Sequence, residues 1–261
     1  MNENLMPIFW VGIAIPILLL MQRWIQTHLH GLSLLLTGKP ERAIYLYAII
    51  LFPGVLLHEA SHWLTAKLLG VRTGSMSLLP RRTPDGDLQL GYVEYYRSKT
   101  LDPIRESLVG GAPLIVGTIV ILFIGFNVFS VLDFAQTIQS GDMDLVTYAL
   151  ANLFDTEYIL LWIYLIFAIS NAMMPSKSDR RAWPAFVVAM IILAGFVFLL
   201  GIQNEVANGL AQPVLLMFGY LGIAFSVAIG VDLIFMLILF ILEATIGRIK
   251  GVTVVYGQSG N

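Results

Sequence analysis

Cysteine is absent from this 261-residue sequence, and charged residues make up only 12% of it. The lack of cysteine excludes disulfide bonds and thiolate ligands, so a bound metal would have to use His, Asp, Glu or water. A soluble domain carries roughly 25% charged residues. The scarcity of charge therefore excludes an ordinary soluble protein. The formal net charge of −2 gives no indication of nucleic-acid binding.

Long apolar runs dominate the chain, which is 57% hydrophobic and has a mean hydropathy of +0.81. About 20 apolar residues in a helix are needed to cross a bilayer. Six runs approach or exceed this length, at roughly 5–21, 43–69, 107–132, 158–174, 183–201 and 214–242. The sequence therefore predicts an all-α polytopic membrane protein with about six transmembrane helices. No small-residue cleavage site follows the first run, so we expect it to be retained.

One polar connection, 71–103, is long enough to hold structure of its own. It contains Thr-Pro-Asp-Gly-Asp at 83–87, and residues 88–95 then alternate between apolar and polar side chains. Pro, Asp and Gly favour turns, and alternation with a period of two is typical of a strand. We therefore expect a small β-hairpin or β-sheet directly after the second predicted span.

Lysine and arginine are distributed unevenly among the connections between the predicted spans. Basic residues occur in 71–103, in 175–182 and in the C-terminal tail, whereas 133–157 and 203–213 carry acidic residues and no Lys or Arg. Because basic connections tend to stay in the cytoplasm, this alternation predicts that the three basic segments face the cytoplasm. The first connection, 22–42, is also basic and departs from the alternation.

The second predicted span contains His58-Glu59-Ala60-Ser61-His62, which has the pattern HExxH. Residues four apart lie on one face of a helix, so both imidazoles can bind a single Zn²⁺. Glu59 is then placed beside the metal as a general base towards water. Ionisable residues within a membrane span are costly and are usually functional. We therefore predict one zinc ion per chain, with His58 and His62 as ligands and Glu59 as the catalytic residue.

A catalytic zinc site usually has three protein ligands. Asp179 follows the fourth predicted span, at the same predicted end of the bundle as His62, and its carboxylate would complete a His₂Asp site. If Asp179 is instead an interfacial charge paired with a neighbouring arginine, the third ligand has to be another carboxylate. Three residues are alternative ligands in that case, namely Glu94, Glu106 and Glu157.

This combination resembles the site-2 protease family of intramembrane zinc metalloproteases. In that family, a span with HExxH is followed by a later span with an Asn, a nearby Pro and an Asp eight positions after the Asn; Asn171, Pro175 and Asp179 are similar to this arrangement. The sequence Gly-Gly-Ala-Pro-Leu at 110–114 also resembles the family's Gly-Pro motif. Two positions differ, because the family usually has its Pro three residues after the Asn and a Gly at the position of Arg180.

The resemblance implies an intramembrane zinc endopeptidase that hydrolyses peptide bonds in or near the transmembrane segments of single-span membrane proteins. It implies that His58, His62 and Asp179 hold the zinc, that Glu59 is the general base, and that Asn171 binds the substrate backbone. With the charge distribution, it also implies a multi-pass protein of a plasma membrane, of prokaryotic type, whose active site faces the cytoplasm. The lipid bilayer and the substrate are the expected partners.

Two other functions stay open. The chain would be a metal-binding but non-proteolytic membrane protein, such as a chaperone-like pseudoprotease or a transporter subunit, if Glu59 has no catalytic role. It would be another kind of membrane metalloprotease if Glu157 or Glu243 binds the metal in place of Asp179. In either case Asn171 is an interhelical hydrogen-bonding residue.

Three further features are weaker indications. His28 and His30 form an HxH pair in the first connection, which we interpret as interfacial rather than metal-binding. Asp232, inside the last apolar run, is interpreted as a polar contact with a neighbouring helix rather than part of a gate. Pro53 and Gly54 precede the HExxH motif, where a kink would make room near the metal.

The predicted spans divide the chain into three segments. Residues 1–42 form an N-terminal transmembrane helix and loop, and residues 43–182 form a catalytic core of three transmembrane helices. Residues 183–261 form two C-terminal transmembrane helices and a short tail.

Overall fold

The computed structural model describes residues 5–78, 80–82, 88–95, 103–252, 254 and 256. Eight helices account for most of this part of the chain. They are α1 (Met6–Thr37), α2 (Pro40–Leu68), α3 (Pro103–Asn127), α4 (Val131–Ser140), α5 (Met143–Phe154), α6 (Ile159–Met173), α7 (Trp183–Leu199) and α8 (Gln203–Lys250). Four short strands lie between α2 and α3, namely β1 (Thr73–Ser77), β2 (Arg81–Arg82), β3 (Leu88–Gln89) and β4 (Tyr92–Tyr95).

Four of the described helices, α1, α2, α3 and α8, are long and apolar enough to cross a membrane. A fifth crossing results if α5 and α6, which meet at an angle of 87°, count as one broken span. α7 is apolar but has only 17 residues. The predicted helical architecture is confirmed, and the long helices are compatible with a multi-pass membrane protein. The count of six spans stays a prediction.

The strands after α2 form small antiparallel pairs, β1 with β4 and β2 with β3. The prediction of a small sheet in this connection is therefore confirmed. Residues 88–95 were expected to form one strand, but Leu90 and Gly91 separate β3 from β4. The predicted turn at 83–87 lies outside the described residues.

α1 and α8 lie side by side and run in the same direction. Trp10 Nε1 donates a hydrogen bond to Ser226 Oγ at 3.0 Å, and Lys250 Nζ donates to the carbonyl oxygen of Leu35. The two contacts have nearly the same sequence offset, 216 and 215 residues, as in a parallel pair. α1 and α2 are instead antiparallel, because only two residues join them and the ring of His30 lies 6.0 Å from that of Tyr47.

These contacts correct two expectations. The first connection was predicted as a loop, but α1 continues to Thr37, so His28 and His30 lie inside a helix. The charge alternation placed the C-terminal tail at the same end of the bundle as 71–103. The parallel pairing instead places the end of α8 beside the α1–α2 turn, at the opposite end. The charge alternation contains no information on which helices pack in parallel.

α2 and α6 pack closely and in parallel. Tyr164 Oη donates to the carbonyl oxygen of Ile50 at 2.9 Å, and a Cβ atom at Gly54 would overlap the carbonyl oxygen of Ala168. Only glycine allows this approach of the two backbones. Pro53 lies inside a continuous α2. Pro53 and Gly54 were expected to open space near the HExxH motif. Gly54 instead allows α6 to pack close to α2 beside the motif.

Candidate metal centre

α2 and the connection after α6 bring His58, His62 and Asp179 together, with one possible ligand atom from each within 4.8 Å of the others. His62 Nε2 lies 3.1 Å from His58 Nε2 and 3.3 Å from Asp179 Oδ1. His58 Nε2 lies 3.7 Å from Asp179 Oδ2. The ligand atoms of a tetrahedral zinc ion, with bonds of about 2.0–2.2 Å, lie about 3.3 Å apart. The three side chains therefore fit a single metal ion of this size.

The hydrogen bonds of the two imidazoles determine which ring nitrogen can bind a metal. His58 Nδ1 lies 2.6 Å from the carbonyl oxygen of Ala172, and His62 Nδ1 lies 2.8 Å from that of Val109. A carbonyl oxygen only accepts, so each Nδ1 carries the hydrogen and each Nε2 keeps its lone pair. Two lone pairs that face each other at 3.1 Å repel unless a cation or a proton lies between them. This donor set, oriented by backbone carbonyls, fits a metal ion.

Both carbonyl groups are available because they have no helical partner. Pro113 lies four residues after Val109, inside α3, and has no N–H group to donate. Ala172 lies in the last turn of α6, where carbonyl groups have no intrahelical donor. Pro113 thus leaves the Val109 carbonyl free to accept from His62 and to orient its ring.

Asp179 is held by its own turn and by α3. The Ser176 N–H donates to Asp179 Oδ2 at 2.7 Å, and a Cβ atom at Gly110 would overlap the carbonyl oxygen of Asp179. Asp179 lies in the connection after α6, where burial by itself would raise its pKa. The facing imidazoles of His58 and His62, together with the Ser176 contact, nevertheless hold the pKa of this carboxyl well below its usual range.

Arg180 does not compete for the carboxylate of Asp179. Its Nε lies 3.4 Å from the carbonyl oxygen of Ser176, to which it donates, and the side chain is exposed. Within the described part of the chain, Asp179 forms ion pairs only with the two histidines, and none with Arg180 or Arg181. The alternative of an interfacial aspartate paired with arginine is therefore not what the structure shows.

Glu59 is only 7% exposed, follows His58 in the sequence and lines the same cavity as His58, His62 and Asp179.

 The carboxylate of Glu59 has no hydrogen bond to any described residue. A Cβ atom at Gly91 would lie 2.9 Å from Glu59 Cγ and 3.0 Å from its Oε1, so the chain between β3 and β4 packs directly on this side chain. The carboxylate is thus shielded by backbone and lies close to the two histidines and Asp179.

A cavity of about 770 Å³ opens beside these residues. The metal group and Glu59 form part of its wall, and Tyr92 and Val93 of β4 form another part. α1 contributes three polar side chains to the lining, those of Gln22, Arg23 and Gln26. The cavity therefore combines a polar wall with apolar surroundings, as ligand sites commonly do.

Asn171 also lines this cavity and is 2% exposed. Its backbone carbonyl oxygen accepts a hydrogen bond from Gln22 Nε2 at 2.7 Å, and Pro175, four residues later, offers no competing N–H. Its side-chain Nδ2 donates to Asp232 Oδ1 at 3.0 Å. Asp232 thus contacts a neighbouring helix, as interpreted from the sequence. Gln22 was missed because it lies one residue beyond the predicted first span.

Three of the residues considered as alternative ligands, Glu106, Glu157 and Glu243, lie outside the metal group. Among the residues that the structure describes, the only group suited to a metal contains neither Glu106, Glu157 nor Glu243. Glu243 instead contacts His28 Nδ1 and the hydroxyl of Tyr256, both at 2.7 Å. The side chain of Glu94 lies outside the described part of the structure.

Comparison of the chain with protein-family models, with curated proteins and with solved structures finds no match. Any assignment of function therefore depends on the residues and the geometry of the site.

Proposed function

We propose that this chain is an intramembrane zinc endopeptidase of the site-2 protease type. The supporting observation is that the imidazole lone pairs of His58 and His62, on a helix long and apolar enough to cross a membrane, converge with the Asp179 carboxylate beside Glu59. Ionisable side chains in such helices are costly and are kept where they have a function.

Each residue of the group has a separate role in the proposed reaction. His58, His62 and Asp179 would hold one zinc ion. When bound, zinc would polarise the scissile carbonyl group and lower the pKa of water. Glu59 would take the proton from the attacking water and pass it to the nitrogen of the leaving amine. Its carboxylate suits this role because it forms no hydrogen bond with any described residue.

The proposed substrate is a peptide segment of a single-span membrane protein, bound in the cavity of about 770 Å³. A helical amide hides its carbonyl group in the i→i−4 ladder, so the segment has to unwind before it is cut. Tyr92 and Val93 line the cavity from β4, where an extended peptide could pair with the strand. Asn171 would then contact the substrate backbone.

The first experiment measures zinc per purified chain. We expect about one zinc in the wild type and a loss of zinc in His58→Ala and Asp179→Ala, since each variant removes one of three ligands. His28→Ala is the matched control, because His28 pairs with Glu243 outside the site and its loss should leave zinc unchanged. Zinc retained in Asp179→Ala would contradict the proposed ligand set.

A second experiment separates a protease from a metal-binding protein without enzymatic activity. Glu59→Gln should keep zinc but reduce the cleavage of single-span reporter proteins by about 10²–10⁴-fold, because it removes the general base. Reporter fragments are measured in membranes that contain equal amounts of each variant. Unchanged biological function in Glu59→Gln would favour the non-proteolytic alternative.

We further propose that the chain crosses a prokaryotic plasma membrane five times, with the site towards the cytoplasm. The parallel contacts of α1 and α8 support an odd number of crossings, and α7 is the short helix that would not cross. The chain has no cysteine, so single cysteines can report sidedness. An impermeant maleimide should label Lys39→Cys and Arg248→Cys from one face and Arg72→Cys from the other. Six crossings would place Arg248 and Arg72 on the same face.

A further inference from the structure

The carboxyl group of Asp232 lies deep between helices, away from the metal ligands themselves. It is 1% exposed, and its Oδ1 accepts hydrogen bonds from Ser170 Oγ at 2.9 Å and from Asn171 Nδ2 at 3.0 Å. Both donors belong to α6, whereas Asp232 belongs to α8. The residues that hold the metal do not need this carboxyl group, so its cost in an apolar helix requires another explanation.

The surroundings of Asn171 determine how its side-chain amide is oriented. One terminal atom lies 2.9 Å from the carbonyl oxygen of Phe167 and 3.0 Å from Asp232 Oδ1. A backbone carbonyl only accepts hydrogen bonds, so this atom has to be the NH₂ group. The other atom, Oδ1, is then the acceptor. It is buried and has no hydrogen-bond partner among the residues that the structure describes.

We propose that Asp232 is a positioning residue, which holds the amide of Asn171 so that its Oδ1 accepts a backbone N–H of the bound peptide. Asn171 lines the cavity beside the metal group, and an unpaired buried acceptor is costly until a ligand donates to it. The inference rests on the proposed function, because it requires a peptide in that cavity. It adds α8, outside the predicted catalytic core of 43–182, to the substrate-binding site.

The contact of Gln22 with the same asparagine fits this role. Gln22 Nε2 holds the backbone carbonyl of Asn171 from α1, while Asp232 holds its side chain from α8. α1 and α8 pack against each other along their length. The pair of outer helices therefore fixes both the backbone and the side chain of the residue that would meet the substrate.

The test compares two inhibitors of zinc enzymes. Acetohydroxamate can bind only through the metal. A leucyl hydroxamate with a blocked N-terminus also has backbone N–H groups, which can donate a hydrogen bond to Asn171 Oδ1. In Asp232→Leu we expect the leucyl hydroxamate to bind about tenfold more weakly, as for the loss of one hydrogen bond, with acetohydroxamate binding and zinc content unchanged. Asp232→Asn should restore most of the affinity, because its carbonyl oxygen can still accept from Asn171.

Three further variants make the assignment specific. Asn171→Ala should weaken the leucyl hydroxamate as much as Asp232→Leu does, and the double variant should lose no more than either single variant. Ser226→Ala removes another contact between α8 and α1 and should leave both affinities unchanged. Additive losses, or an equal loss for both inhibitors in Asp232→Leu, would overturn the inference. Failure of acetohydroxamate to bind the wild type would instead overturn the zinc site itself, and this inference with it.

Discussion

Two sets of helices in this chain differ in how they pack. α2 and α3 bury residues along most of their length, α6 buries residues in its second half, and the three helices surround the metal group. α4, α5 and α7 contain no buried residue within the described structure. Apolar composition alone therefore does not show how much of a helix is covered by the rest of the chain.

The difference between the two sets lies in their small residues. A Cβ atom at Gly54 or Gly110 would overlap the backbone of a neighbouring segment, and one at Gly117 would lie 2.6 Å from Met173 Cβ. A Cβ atom at Gly195, in α7, would meet no atom within 4 Å. Close packing without a hydrophobic driving force depends on such small residues, so the glycines of the first set determine the geometry of the site.

The largest effect is expected where this close packing is broken at Gly54. Gly54→Ala should prevent α6 from approaching α2, so that Ala172 no longer supports His58 and the purified chain loses most of its zinc. Gly195→Ala is the matched control, since it makes the same chemical change on α7. Zinc content and the yield of monodisperse protein are measured for both. Equal zinc in the two variants would show that the packing of α2 on α6 does not determine the site.

The predicted and observed helices show how much of the fold could be predicted from the sequence. The long apolar runs predicted the main helices, and alternation predicted the small sheet. The extension of α1 to Thr37 was not predicted, because Arg23, His28 and His30 interrupt the apolar pattern. The side chains of these residues lie among neighbouring helices or along the cavity, so tertiary contacts that composition does not encode compensate for their polarity.

The candidate site was predictable in part for a similar reason. His58, Glu59 and His62 need only a helix to share a face, so their spacing was sufficient. Asp179 was predicted from its place after the fourth predicted span together with a family resemblance, and Asn171 from the resemblance alone. The contact between Asn171 and Asp232 depends on which faces of two apolar helices meet, and periodicity does not specify this in helices that are apolar on all sides.

A smaller effect is expected from truncating single aromatic residues in the two sets. Phe167, in α6, is 1% exposed and stacks on Phe235 with ring centroids 3.8 Å apart, so Phe167→Ala should destabilise the fold by about 3–5 kcal/mol. Phe198, in α7, is 69% exposed, and Phe198→Ala should change the stability by less than about 0.5 kcal/mol. Unfolding in mixed micelles measures both. Comparable losses would mean that α7 has a packing partner, such as a second chain.

The smallest effect is expected at Pro113, where one hydrogen-bond acceptor is shared rather than lost. Pro113→Ala would supply an N–H group to the carbonyl oxygen of Val109, which now accepts from His62 Nδ1 at 2.8 Å. A carbonyl oxygen has two lone pairs, so the imidazole would compete with the new donor without being displaced. We therefore expect zinc to bind about tenfold more weakly, at the lower end of the range for residues that orient metal ligands.

Pro213→Ala, in an exposed turn of α8, should leave zinc affinity unchanged, and competition with a chromophoric chelator measures both variants. An equal affinity in Pro113→Ala would show that the α3 carbonyl does not control the orientation of His62.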